Sequence, residues 1–138
     1  MTQASIIIIN YNTFELTCKC IESVLTHTKE LDFEIVLLDN ASTENVPGTF
    51  KERFPNIQFI QCETNLGFSK GNNLAIQSCK GEVILLLNSD TEVIDDSISE
   101  SYRELMADTN IGALTCKLIY PNGTVQHNCQ SFPSFFKY

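Results

Sequence analysis

The chain has 138 residues, enough for one hydrophobic core and too few for two full domains, so a single site is expected. Its 9 Lys and Arg stand against 17 Asp and Glu, and the net charge of −8 argues against a nucleic-acid backbone as partner, since such binding draws on clustered cations. No apolar run approaches the roughly 20 residues of a membrane span, and an anionic ligand of so acidic a chain needs a mediating cation.

Residues 1–4 lack a basic stretch or a cleavage pattern and lead straight into a strand, so a cytoplasmic location is expected. Ser5-Ile6-Ile7-Ile8-Ile9 is β-branched without alternation, the pattern of a parallel strand covered on both faces. Phe14, Cys18, Ile21 and Leu25 then recur at helical spacing over residues 13–27, with Thr13 as N-cap. Residues 33–38 form a second strand, broken by Asp39-Asn40-Ala41-Ser42. A shorter helix over 46–53 stops ahead of Pro55, and residues 57–61 form a third strand. After the turn Asn65-Leu66-Gly67, the residues Phe68, Asn72, Ala75 and Cys79 share one helical face; Gly71 is expected to permit close backbone approach, and Lys80-Gly81 to end the helix. Residues 82–87 read as another strand buried on both faces, ended by Asn88-Ser89-Asp90-Thr91. A helix over 95–106, a strand over 111–120, the turn Pro121-Asn122-Gly123 and an antiparallel partner over 124–129 complete the order, which makes the sheet mixed. Strand and helix alternate with short connections, so the fold class is α/β: three layers, a mainly parallel sheet with right-handed crossovers, and a C-terminal antiparallel hairpin.

The six cysteines form no C-x-x-C pair and mostly fall in apolar periodic segments, which implies reduced, buried thiols. Cys18 and Cys20 point about 200° apart on their helix and cannot share a metal.

Ligands of open parallel sheets sit beyond the carboxyl ends of the strands, which here read Asn10-Tyr11-Asn12, Asp39-Asn40, Asn65-Leu66-Gly67 and Asn88-Ser89-Asp90. Each is an ordinary turn composition alone. Asp90 closes an apolar strand, which would hold its carboxylate at the rim as a hard cation such as Mg²⁺ or Mn²⁺ requires, although Asp90 or Thr91 can equally start the next helix. Asp39 can accept hydrogen bonds from a base or ribose, or organise its own turn through Ser42 and Thr43. Lys70, in the first turn of its helix, suits a phosphate or is simply solvated. Tyr11 can stack on a base or pack as a hydrophobic shoulder. No G-x-S-x-G, G-x-G-x-x-G or P-loop pattern is present.

Ile7-Ile8-Ile9-Asn10-Tyr11-Asn12, Val36-Leu37-Leu38-Asp39-Asn40-Ala41-Ser42, Asn65-Leu66-Gly67-Phe68 through Asn73, and Leu86-Leu87-Asn88-Ser89-Asp90-Thr91 together resemble the family 2 glycosyltransferases, most closely a rhamnosyltransferase-like bacterial branch. The resemblance implies a GT-A fold that binds a nucleotide-diphosphate sugar and passes the sugar to a glycan or lipid-linked acceptor in cell-surface polysaccharide synthesis, at the inner face of the membrane. It gives Asp39 to the base or ribose, Asp90 to the metal, and Asn10, Tyr11, Asn65, Gly67, Lys70, Asn73 and Asn88 to the nucleotide-sugar. The family's D-x-D motif reads Asn88-Ser89-Asp90 here, leaving one carboxylate where two are usual. No catalytic base stands out over residues 118–138, so the chain is read as a donor-binding portion that ends before an acceptor-binding half. The Phe-rich segment 132–138 is expected to have packed against that half, and to self-associate or be disordered without it. Two alternatives are a non-catalytic interaction module on the same fold, and a sugar nucleotidyltransferase, which would want a Gly- and Arg-rich loop where Asn10-Tyr11-Asn12-Thr13 stands.

Overall fold

A computed structural model describes residues 1–44 and 47–127. In chain order the elements are β1 (Ala4–Asn10), α1 (Phe14–His27), β2 (Phe33–Asp39), α2 (Pro47–Arg53), β3 (Gln58–Gln61), α3 (Gly67–Ile76), β4 (Val83–Asn88), α4 (Ser97–Ala107), β5 (Leu118–Ile119) and β6 (Val125–Gln126). Strands β3-β2-β1-β4 form one sheet in that order, parallel throughout. Strand β1 lies inside it with Ile6, Ile7 and Ile8 fully buried, as its continuous β-branched run requires. Each such side chain contributes roughly 1.5–3 kcal/mol through its removal from water.

Helices cover both faces. On one, Ile6, Ile8, Ile35 and Leu37 pack with Cys18, Cys20, Ile21 and Val24 of α1, Phe50 of α2 and Ile98 of α4. On the other, Ile7, Val36 and Leu38 pack with Ala75 of α3. The chain moves outward from β1 through β2 to β3, then α3 carries it back across the opposite face to β4. The strand order therefore reverses between β1 and β4, the place where such sheets open a crevice.

Several local expectations are corrected. The buried stripe of α1 is Thr17, Cys18, Cys20, Ile21, Ser23 and Val24, with Phe14 packed against the core; of the expected stripe Leu25 alone departs, at 51% exposed. Helix α3 ends at Ile76, short of Lys80-Gly81. Gly81 serves β1 instead, because a Cβ there would lie 2.4 Å from the Ala4 carbonyl carbon and the Ser5 nitrogen. Gly71 has ordinary room, with a Cβ 3.6 Å from Ile9, so it is not a forced close approach. Strand β4 is covered on one face only and has one neighbour among the described residues, leaving Ile84 and Leu86 exposed. The antiparallel pair β5-β6 forms, closed by Gly123 at φ +82°, but as a separate two-stranded sheet; the main sheet is not mixed, and residues 111–117 join no ladder. The Phe-rich segment and Cys129 lie outside the described residues. Cys18, Cys20 and Cys62 are buried free thiols, Cys79 is a partly buried free thiol, and Cys116 is partly buried with its sulfur 3.0 Å from Ser101 Oγ.

Candidate functional site

A cleft of about 450 Å³ opens at the carboxyl ends of β1 and β4, lined by Ile9, Tyr11, Thr13, Leu16, Asn40, Asn65, Gly67, Phe68, Leu87, Asn88, Ser89 and Asp90. Its volume lies within the usual range for small-molecule sites. Register builds it: Asn10 pairs with Asp39, and Ile9 with Asn88, so the ends of β2 and β4 flank the end of β1 roughly 10 Å apart at two strand spacings.

Of the residues singled out in the sequence, Tyr11, Asn65, Gly67, Asn88 and Asp90 line the cleft. Asn10 and Asp39 lie beneath it, 0% and 3% exposed. Asn10 Nδ2 donates to Asp39 Oδ1 at 2.5 Å and to Ser42 Oγ at 2.9 Å, while Asn10 Oδ1 accepts from Thr17 Oγ1 at 2.7 Å and Thr13 Oγ1 at 3.1 Å. The second Asp39 oxygen accepts from the Ser42 N–H at 3.0 Å and from Gln61 Nε2 at 2.7 Å. The turn-forming reading of Asp39 is what these bonds show, through Ser42; Asp39 does not line the cleft, and its partner Gln61 is exposed.

Lys70 and Asn73 are exposed and do not line the cleft. Phe68 projects into it from the first turn of α3, and at 100° per residue Lys70 and Asn73 fall about 200° and 140° around the helix, on the face turned from the sheet. Phe68 itself, on the same helical face as Asn72 and Ala75, is 59% exposed and lines the cleft where they are buried. Sequence reasoning passed over Phe68, Thr13, Leu16 and Asn40 as site residues. For Asn40 the signal was its place beside Asp39: its Oδ1 accepts from the Leu66 N–H at 2.8 Å and its Nδ2 donates to Asn65 Oδ1 at 2.9 Å, which ties the β2 end to the α3 entry. Asn65 Oδ1 also accepts from the Gly67 N–H at 2.8 Å, and Gly67 takes φ +73°, a left-handed conformation that favours glycine.

Helix α1 clamps the segment that carries Asp90. Cys20 Sγ donates to the Asn88 carbonyl at 3.5 Å, Ser23 Oγ accepts from the Val93 N–H at 3.0 Å, and Thr13 Oγ1 meets Ser89 Oγ at 3.2 Å. Burial, with the Asp90 carboxylate adding to it, pushes the Cys20 thiol up to about 12, so it is neutral and unreactive at physiological pH.

For a metal, the donor set at the rim is the Asp90 carboxylate with the Asn88 and Ser89 oxygens beside it, and no group of three His, Cys, Asp or Glu gathers among the described residues. That set is too small to hold a cation alone. It fits Mg²⁺ or Mn²⁺ shared with ligand phosphates, the usual arrangement when a protein supplies one or two carboxylates.

The family model described as glycosyl transferase family 2 matches residues 5–135. The chain belongs to this family. Among family relatives, the O-antigen biosynthesis protein RfbC of Myxococcus xanthus is 32% identical over 78% of this chain and 8% of its own length. The poly(ribitol-phosphate) beta-glucosyltransferase of Bacillus spizizenii is 31% identical over 80% of this chain and 19% of its own. The chain therefore spans well under half the length of these relatives. A mannosyltransferase from Pyrobaculum calidifontis, solved in complex with GDP-Man and Mn²⁺, aligns with a TM-score of 0.76 at 20% identity, over 87% of this chain and 36% of that one. Residues 1–349 of S. aureus TarS, solved with UDP-GlcNAc, align with a TM-score of 0.65 at 24% identity, over 77% of this chain and 31% of that one. The fold is that of the GT-A glycosyltransferases. These relatives establish family 2 without singling out its rhamnosyltransferase-like branch.

Proposed function

We propose that this chain is the donor-binding portion of a family 2 glycosyltransferase, which moves a sugar from a nucleotide-diphosphate sugar to a glycan or lipid-linked acceptor in cell-surface polysaccharide synthesis, on the cytoplasmic side of the membrane. One observation carries the reading. Among the described residues, Asp90 is the sole charged side chain lining a cleft whose other polar groups are neutral amides and hydroxyls. A lone carboxylate repels a diphosphate unless a cation lies between them, and with a divalent cation it becomes the anchor for one. The relatives' names support a role in surface polymers, and two structural neighbours hold nucleotide sugars.

In this reading Tyr11 takes the base face, Asp39 receives a base or ribose donor in place of Gln61, Asn65 and Gly67 shape the phosphate side, and Asn88 and Asp90 face the metal. The cation, when bound, stabilises the charge that develops on the leaving diphosphate. Asn10 acts from below, and Lys70 and Asn73 reach the nucleotide only if α3 or their side chains reorient.

Calorimetric titration with UDP, GDP and dTDP, with and without Mn²⁺ or Mg²⁺, tests the proposal. Binding of at least one is expected to tighten at least tenfold with metal, and Asp90→Ala to remove that increment. Absence of metal-dependent binding for all three nucleotides overturns it.

A further inference from the structure

We propose that Thr13 is a positioning residue that couples the two ends of the donor cleft, linking the loop that carries Asp90 to the Asp39 carboxylate through Asn10. The inference rests on the donor-binding reading and adds a residue to it.

Thr13 is the N-cap of α1, yet its hydroxyl makes no capping bond to that helix. A Thr at this position ordinarily accepts from an N–H of the first turn and stabilises the helix by about 1 kcal/mol. Here the hydroxyl turns instead to Asn10 Oδ1 at 3.1 Å, Ser89 Oγ at 3.2 Å and, more distantly, Thr17 Oγ1 at 3.3 Å, whose own hydrogen goes to Asn10 Oδ1 at 2.7 Å. Chemistry fixes the direction of the chain. The Asn10 amide must present Nδ2 to Asp39, since an amide oxygen there would face a carboxylate. Its Oδ1 therefore faces the threonines, and the single Thr13 hydrogen goes to it. Thr13 is left to accept from Ser89. Every donor in the series Ser89, Thr13, Asn10 then points toward Asp39, an alignment in which successive bonds polarise one another.

The chain crosses the sheet from β4 through β1 to β2 and joins the residue next to Asp90 with the residue that faces the nucleoside. Thr17 also donates to Asn10 Oδ1, at 2.7 Å, so losing the Thr13 hydroxyl removes its contacts with Asn10, Thr17 and Ser89 but leaves Asn10 partnered by Thr17 and Asp39, while Ser89 loses its link to the network. The Asp90 loop then has to be ordered when metal and diphosphate arrive, and the metal requirement rises.

The test titrates wild type, Thr13→Val, Thr13→Ser, Ser89→Ala and the Thr13→Val/Ser89→Ala double variant with UDP, GDP and dTDP over a series of Mn²⁺ concentrations. With whichever nucleotide wild type binds most tightly, Thr13→Val is expected to raise the half-saturating Mn²⁺ concentration about fivefold, the size of one hydrogen bond. Thr13→Ser restores the wild-type value, Ser89→Ala shifts it at least as far because its own oxygen also faces the cation, and the double variant adds nothing to Ser89→Ala. Urea midpoints follow in parallel, and should Thr13→Val not fold, Thr13→Ala carries the measurement. Unchanged Mn²⁺ dependence in both variants, or additive effects in the double variant, overturns the coupling and leaves the donor-binding reading standing. No metal-dependent binding by wild type overturns both.

Discussion

Replacing Asn10 by Asp changes one group in the buried network and almost no volume. In Asn10→Asp, an oxygen stands where Nδ2 now donates to Asp39 Oδ1 at 2.5 Å. Two ionised carboxylates at that separation repel by roughly 7 kcal/mol at an effective dielectric of about 20. Taking up a proton instead costs about 4 kcal/mol at pH 7, from 1.36 kcal/mol per unit between pH 7 and the ordinary Asp value of about 3.9. Protonation is the smaller cost, so the introduced carboxyl is held neutral and donates to Asp39 as the amide did. Its affinity for the proton is then raised by folding. Such a group stabilises fully below its unfolded pKa and loses that contribution as pH rises through the folded one, so the variant approaches wild-type stability near pH 4 and falls behind above it. The expected deficit is about 4 kcal/mol at pH 7, shrinking by roughly 1.4 kcal/mol per unit toward pH 4. Urea unfolding of both proteins at pH 7, 6 and 5 measures it. A deficit that does not change with pH, or one below about 1 kcal/mol at pH 7, refutes the assignment of Asn10 as the amide bridging to Asp39.

Two glycines give opposite outcomes by thermal or urea unfolding. Gly81→Ala drives a Cβ to 2.4 Å from β1 backbone and is expected to cost more than about 2 kcal/mol, whereas Gly71→Ala meets only ordinary contacts on a helix and is expected to gain about 0.5–1 kcal/mol; a neutral Gly81→Ala contradicts this packing. The Cys20 thiol, raised from 9.0 to about 12, stabilises the fold fully below pH 9 and progressively less up to pH 12. At 1.36 kcal/mol per unit the loss reaches up to about 4 kcal/mol, so wild type is expected to unfold at alkaline pH before Cys20→Ala does, once the two are compared relative to their stability at pH 7.

Where the cause was local, the sequence was sufficient. The uninterrupted β-branched run of β1 could bury itself only as a central parallel strand, and the polar residues that follow each strand mark the rim because nothing apolar could end there without exposure. Where the cause was tertiary, the pattern misled. Thr13 carries the right side chain for a cap, and no local rule reveals that Asn10 and Ser89 compete for its hydroxyl. Lys70 and Asn73 sit in the right turns of the right helix, but the phase of α3 is set by Ala75 and Asn72 meeting the sheet, which turns both outward. The apolar composition of β4 predicted cover on two faces; composition records what a strand can bury and is silent on what arrives to bury it.

The satisfied state of Asp39 constrains how a donor can bind. All four bonds to its carboxylate are already made, from Asn10, the Ser42 hydroxyl, the Ser42 N–H and Gln61. On the donor-binding reading, a nucleoside that reaches this group exchanges one donor for another, and such an exchange contributes far less than a bond formed from nothing. The nucleoside end can therefore reject ligands whose donors are misplaced, but it has little affinity to give. Affinity must arise at the other end, where Asp90 is exposed at the rim and a cation can gather both its charge and that of a diphosphate. A nucleoside without phosphates should accordingly bind weakly whether or not metal is present, and the dependence on metal should appear only once the diphosphate is attached. On the same reading, that division of labour gives the proposed connection between the two ends its purpose. Selectivity exercised at Asp39 would affect transfer only if the nucleotide it accepts were delivered in register to a cation at Asp90.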